Sequence, residues 1–166
     1  MGKPDIDEVA FRQILGNYPT GVTLVSANDN EGPFAMVIGS FGSVSLDPVL
    51  VQLMPAKNSK TWERIAATGS YCVNVLNEKQ LELSNSFFDK SKDPFDSIEW
   101  RKEATGSPVI KDCVAWVDCS IGDIHDAGDH YIVIGEVQRI GSENQKDGPL
   151  LFLGGSYGSF TELTGS

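Results

Sequence analysis

The chain has 166 residues, 40% of them hydrophobic and 22% charged, which is enough to bury one core and short for two domains. No apolar run approaches the roughly 18 residues that a bilayer-spanning helix needs, and the acidic start (Asp5, Asp7, Glu8) lacks a signal peptide's basic region. These two features lead to the expectation of a cytoplasmic location, and a formal net charge of -10, which repels phosphate backbones and anionic membranes, makes neither nucleic acid nor membrane an expected partner.

One domain is expected over residues 1–166, with flexible ends at 1–4 and 159–166. The first helix is signalled by Asp5 as N-cap with Glu8 three residues on, followed by apolar Ala10, Phe11, Ile14 and Leu15 before Gly16. It should cover one face of a sheet. Val22 to Ser26 reads as a strand, Asn28 to Pro33 as the loop that reverses it, and Phe34 to Ile38 as the returning strand. Gly39 to Pro48 is a stretch of small and hydroxyl residues that ends in a turn and leads into a strand over Val49 to Met54. Small residues there would let a ligand approach the backbone closely.

Asn58 or Ser59 can cap a short helix with apolar Trp62, Ile65 and Ala66, stopped by Gly69, and a strand over Tyr71 to Leu76 follows. Asn77 with Gln80 repeats the capping pattern for a helix reaching Phe88. Residues 89–112 read as a long irregular connection with at most a short strand near Trp100, a length that suits a functional loop or a dimer contact. Val114 to Ile124 and His130 to Ile140 form a long hairpin around Asp126 to Asp129. A last strand over Leu150 to Leu153 precedes a Gly/Ser-rich tail from Gly154. Many antiparallel strands with three short helices favour a mainly β, closed barrel over a doubly wound sheet.

Cys72, Cys113 and Cys119 are odd in number and lack C-x-x-C spacing, so neither a disulfide framework nor a tetrahedral zinc site is expected. All three read as packing residues, with Cys113 and Cys119 on one strand. No dinucleotide fingerprint or P-loop occurs. Gly154-Gly155-Ser156-Tyr157-Gly158 matches the nucleophile-elbow pattern, but no His follows it, which sets a hydrolase aside. His125 and His130 lack metal-ligand spacing, and His130 reads as a donor beside a redox ligand or as a surface residue. Lys57 to Thr61 combines two cations, two hydroxyls and an amide at a helix start, where a phosphate is favoured. Unaided, a solvated, well-capped helix is the commoner reading.

The string Ser40-Phe41-Gly42-Ser43-Val44-Ser45-Leu46-Asp47-Pro48 strongly resembles the signature of the flavin reductase-like, FMN-binding split-barrel family. Phe11-Arg12-Gln13, Pro19 to Thr23, Tyr71 to Leu76, Gly128-Asp129-His130, Gly135-Glu136-Val137 and Pro149 to Phe152 agree in order, and with Tyr157 the resemblance spans nearly the whole chain. It implies an antiparallel, Greek-key-like split barrel working as a homodimeric NAD(P)H:flavin oxidoreductase that supplies reduced flavin to a separate monooxygenase component. Exchangeable FMN or FAD, and NADH or NADPH, are the implied cofactors. Met36, Val37, Ile38, Gly39, Ser40, Ser43, Val44, Ser45, Leu46 and Asp47 would line the isoalloxazine and ribityl chain. Lys57, Asn58, Ser59 and Thr61 would receive the phosphate, Tyr157 would complete the site, and His130 would lie near the nicotinamide, positioning rather than transferring a proton. A hydride from nicotinamide C4 to flavin N5 needs no protein nucleophile.

Where the family often carries Met-Thr-Ala-Asn-Ser-Phe-Thr-Ser, this chain has Met36-Val37-Ile38-Gly39-Ser40-Phe41-Gly42-Ser43. Three side-chain hydrogen-bonding groups fewer, at about 1 kcal/mol each, would lower flavin affinity by one to two orders of magnitude. Two rivals keep the barrel: a flavin carrier without nicotinamide turnover, and a cofactor-free dimeric module.

Overall fold

The computed structural model describes residues 6–163. In chain order these form α1 (Glu8–Leu15), β1 (Thr20–Gly21), β2 (Thr23–Asp29), β3 (Gly32–Ile38), β4 (Gly42–Leu46), β5 (Val49–Leu53), α2 (Lys60–Thr68), β6 (Ser70–Val75) and α3 (Leu81–Ser86). A single 3-10 turn (Pro94–Asp96) precedes β7 (Trp100–Lys102), β8 (Pro108–Ile110), β9 (Ala115–Ala127), β10 (His130–Gly141), β11 (Leu150–Leu153) and β12 (Ser156–Ser159).

Seven strands form one sheet in the order β3-β2-β6-β9-β10-β5-β4, with every pairing antiparallel. Laid flat, its outer strands would stand about 29 Å apart at roughly 4.8 Å per step. The link from β3 to β4 is only Gly39 to Phe41, which spans at most about 14 Å. The sheet must therefore curl until β3 and β4 approach, and because these two do not pair the barrel is split along that seam. The strand pattern leads to a mainly β closed barrel and the family resemblance to a split one; the antiparallel sheet, flanked by three short helices, is split.

The barrel interior is filled by Val25, Phe34, Val51, Leu53, Tyr71, Val73 and Val133, and Trp62 and Ile65 of α2 join this core. The α2 cap falls on Ser59, whose hydroxyl accepts from Trp62 N at 3.1 Å, and Gly69 ends the helix with φ 75°, a left-handed C-cap that glycine adopts without strain. A second core of Val22, Leu24, Leu76, Ile110 and Leu150 lies outside the barrel under Leu81, Phe87, Phe95 and Trp100. The burial pattern of β2 is near-continuous because its two faces meet these two cores.

Arg64 on the flank of α2 makes two hydrogen bonds of 2.7 Å to the Asp29 carboxylate at the end of β2. The Arg64 guanidinium holds the Asp29 carboxyl at about 2, below its usual 3.8. A depressed carboxylate stabilises the fold above its unfolded pKa and loses that contribution as pH falls through the folded one. Acid unfolding of Asp29→Asn followed by circular dichroism should therefore be shallower than that of the unmodified protein between about pH 4 and pH 2. Identical curves would show that the pair contributes nothing there.

Several expectations are corrected. The α1 cap is Asp7, which accepts from Val9 N at 3.1 Å; Asp5, like the rest of residues 1–5 and 164–166, lies outside the described residues. No residue of α1 is buried, so α1 does not cover a sheet face within this chain: Val9, Phe11, Ile14 and Leu15 are exposed. The third helix is shorter than expected, because Asn77 and Gln80 cap a turn ahead of it: Gln80 accepts from Asn77 N and Asn77 from Lys79 N. Residues 42–46 are a strand, β4. Part of the supposed tail, Ser156–Ser159, is also a strand, paired with β11 in a small three-stranded sheet with β1. Cys113 precedes β9 rather than sharing a strand with Cys119, although all three thiols are buried and unpaired. Ser156 opens a strand rather than a strand-to-helix turn, so the elbow pattern is coincidental.

Candidate active site

The site is assembled along the seam. Ser40 Oγ accepts from Met54 N at 3.0 Å and donates to Met54 O at 3.2 Å, clipping the β3–β4 link to the end of β5. From there Tyr131 N donates to Pro55 O at 3.0 Å and Lys57 N to Asp129 O at 2.9 Å, while Ala56 bridges His130. The approach to α2 thus runs beside the start of β10, and two segments more than 70 residues apart in sequence meet. The first-turn amides of α2 have no earlier helical carbonyl to reach, so with the helix dipole they favour an anion.

The local charges are arranged differently from the expectation of two free cations. Lys57 pairs with Asp126 and Lys60 with Glu63; the Asp126 carboxylate raises the Lys57 pKa. With the Lys57, Ser59 and Trp62 amides already bonded, the uncommitted donors are the amides of Asn58, Lys60 and Thr61 and the hydroxyls of Ser59 and Thr61. His130 Nδ1 lies 2.8 Å from Asp129 Oδ1, leaving Nε2 available, and the His130 side chain is 46% exposed. Its imidazole lowers the Asp129 pKa.

Beyond Ser40 lies a groove of about 190 Å³ lined by Thr20, Gly21, Val22, Val37, Ile38, Gly39, Phe88, Phe152 and Tyr157. Tyr157 reaches it because β12 pairs Tyr157 opposite Phe152, with ring centroids 5.2 Å apart. Val37, Ile38, Gly39 and Tyr157 therefore share this groove, while Ala56 and Lys57 lie against His130 and Asp129. Met36 instead packs against the barrel interior, and Ile38, though it lines the groove, is also buried in that core. Ser43, Val44, Ser45, Leu46 and Asp47 sit on β4 and its turn, across the seam; all but half-buried Ser45 are exposed. A register shift between Ser43 and Ser45 bulges β4, a device that re-aims side chains beside sites. No group of three or more His, Cys, Asp or Glu side chains among the described residues is placed to hold a metal ion.

Residues 15–161 match the flavin reductase like domain. The chain belongs to this family. It is 45% identical over 159 residues to a flavin reductase of Pseudomonas putida, covering 95% of this chain and 93% of that one. Against the reductase subunit HsaB of a flavin-dependent monooxygenase from Mycobacterium tuberculosis the identity is 40% over 153 residues, covering 92% and 82% respectively. The solved structure of the Streptomyces globisporus NADH:FAD oxidoreductase SgcE6 with NAD and FAD fragments superposes with a TM-score of 0.87, at 34% identity over 96% of both chains.

Two of the three departures from the family string gain a structural account. A Cβ on Gly39 would lie 2.9 Å from Thr20 Oγ1, so the Thr20 hydroxyl stands where a residue 39 side chain would begin. A Cβ on Gly42 would meet the Gln52 amide nitrogen at 3.8 Å. Polar groups thus reach both places from other strands. Thr20, Phe88 and Phe152 were absent from the sequence-derived site. Thr20 stood in a turn motif, and the two Phe come from segments whose pairing with the groove no local pattern encodes.

Proposed function

We propose that this family member is an NADH:flavin oxidoreductase that reduces exchangeable FMN or FAD and passes it to a separate monooxygenase. The observation that carries this is the series of contacts that links the groove at Val37 to Gly39, through Ser40 on the Met54 main chain, to Ala56 against His130 just ahead of α2. Its parts suit a flavin: a groove with aromatic walls, bare glycine backbone, and helix-start amides for a phosphate. When bound, the flavin supplies the electron acceptor for a nicotinamide hydride.

The residues of the chain bind and orient. Val37, Ile38, Gly39 and Tyr157 would hold the ring system, and Ser43, Val44, Ser45, Leu46 and Asp47 would flank it from the other side of the seam. Met36 would act through its packing beneath β3. Lys57, Asn58, Ser59 and Thr61 would take the phosphate chiefly through amides and hydroxyls, with Lys57 held by Asp126. His130, oriented by Asp129 through Nδ1, would place Nε2 toward the nicotinamide. A homodimer is part of this reading, supported by the exposed apolar side chains of α1. So is a cytoplasmic location, supported by three buried, unpaired thiols; no described helix is long and apolar enough to cross a membrane.

The test is to mix the protein with FMN and NADH and follow flavin fluorescence and the near-ultraviolet absorbance of NADH. Quenching with NADH consumption is expected. Quenching without consumption would make the protein a carrier, and no quenching would make it a cofactor-free module. In the same assay His130→Ala should lower kcat/KM for NADH by about tenfold while shifting Tm by less than about 2 °C. Unchanged kinetics would remove His130 from the site.

A further inference from the structure

We infer that Arg64 is a positioning residue for flavin phosphate, a clamp that sets the start of α2 relative to the ring-binding end of β3. The inference rests on the phosphate site proposed above and adds a residue that does not touch the ligand.

Apolar burial of Trp62 and Ile65 attaches α2 to the barrel, yet such contacts are non-directional and leave the helix free to turn or slide slightly. Arg64 supplies direction. Its Nε and one terminal nitrogen each bond Asp29 at 2.7 Å, a planar fork that fixes angle as well as distance. The same terminal nitrogen lies 3.3 Å from Glu31, and the guanidinium sits 3.9 Å from the centre of the Phe34 ring, close enough for a cation–π contact.

Asp29 ends β2, Glu31 lies in the turn and Phe34 is on β3, so one side chain grips both strands of the hairpin. Asp29 also accepts from Glu31 N at 2.8 Å, which stiffens the turn being gripped. The far end of β3 carries Val37 and Ile38 in the groove. Arg64 lies five residues after Ser59, about 7 Å along the helix axis, so it is too far along to meet a phosphate at the helix start. Exposed ion pairs add little stability, whereas an anion held by amide groups is sensitive to displacements of tenths of an ångström. A clamp here acts on the phosphate end of a ligand whose ring end is held by β3.

Steady-state kinetics with FMN and with riboflavin, which has the ring but no phosphate, test this. The unmodified protein should show a KM for FMN about tenfold below that for riboflavin. Arg64→Gln should raise the FMN KM about fivefold, leaving kcat and the riboflavin KM within about twofold. Arg64→Lys, which keeps the charge without the fork, should fall between. Asp29→Asn, which retains an oxygen for the Glu31 amide, should repeat the Arg64→Gln result and serves if that variant fails to fold. Folded variants that keep the FMN preference overturn the clamp, as do variants that lose both flavins equally, since that is general loosening. No preference in the unmodified protein overturns the phosphate site itself and the clamp with it.

Discussion

Replacing Gly135 with alanine is expected to lower the melting temperature by about 10 °C, corresponding to roughly 3–4 kcal/mol in a chain of this size. A Cβ at that position would lie 2.0 Å from the Tyr71 hydroxyl oxygen, 3.0 Å from its ring and 3.0 Å from Val51 Cγ2. Tyr71 is fully buried in the barrel core, so it cannot swing into solvent, and close-packed neighbours leave it little room to shift. Burial pushes the phenol pKa far up, and its hydroxyl has no hydrogen-bond partner among the described residues. Tyr71→Phe should therefore be neutral or stabilising by about 1 kcal/mol, because it removes an unsatisfied buried group. The double variant Gly135→Ala with Tyr71→Phe should recover at least half of the loss, as expected of residues in contact. Thermal denaturation checks all three. A Gly135→Ala protein melting within about 2 °C of the parent would mean that β10 moves aside readily.

The largest functional effect is expected from Ser59→Asp. Aspartate caps a helix as well as serine does, so the bond now made by Trp62 N at 3.1 Å is retained and the melting temperature should hold. The added carboxylate, however, faces the proposed phosphate. Two like charges about 4 Å apart repel by up to about 4 kcal/mol at a partly screened surface. FMN affinity should fall about a hundredfold, while riboflavin, which lacks the phosphate, should bind almost as before. Fluorescence titration of both flavins at low salt measures the contrast. Equal losses for the two, or none for FMN, would move the phosphate elsewhere on the molecule.

Local chemistry reads directly from local sequence, and the residues show where that stops. The α2 stop at Gly69 and its cap to within one residue (Asn58 or Ser59), the β9–β10 turn at Gly128 with φ 67°, and the strands rich in β-branched residues were all legible. Each depends on neighbours within a few positions. The apolar stripe of α1 was legible as a stripe but not as an exposed one, because periodicity identifies a face without identifying its partner. The strand Ser156–Ser159 was hidden by its glycine and serines, since only its pairing with β11 makes it a strand.

By itself the sequence determined that the chain is a mainly β domain without a classical nucleotide motif, with a bare 39–48 segment and a helix that starts at Asn58 or Ser59. Its family resemblance carried the expectation of flavin chemistry. Only the tertiary structure decided that β3 and β4 face each other across a seam, that Ala56 lies against His130, that Lys57 is held by Asp126, and that Thr20 occupies the space beside Gly39. Apart from the seam itself, these are contacts between segments far apart in sequence. They follow from closing one seven-stranded sheet through a three-residue link, a geometric constraint on the whole chain that no short stretch of sequence contains.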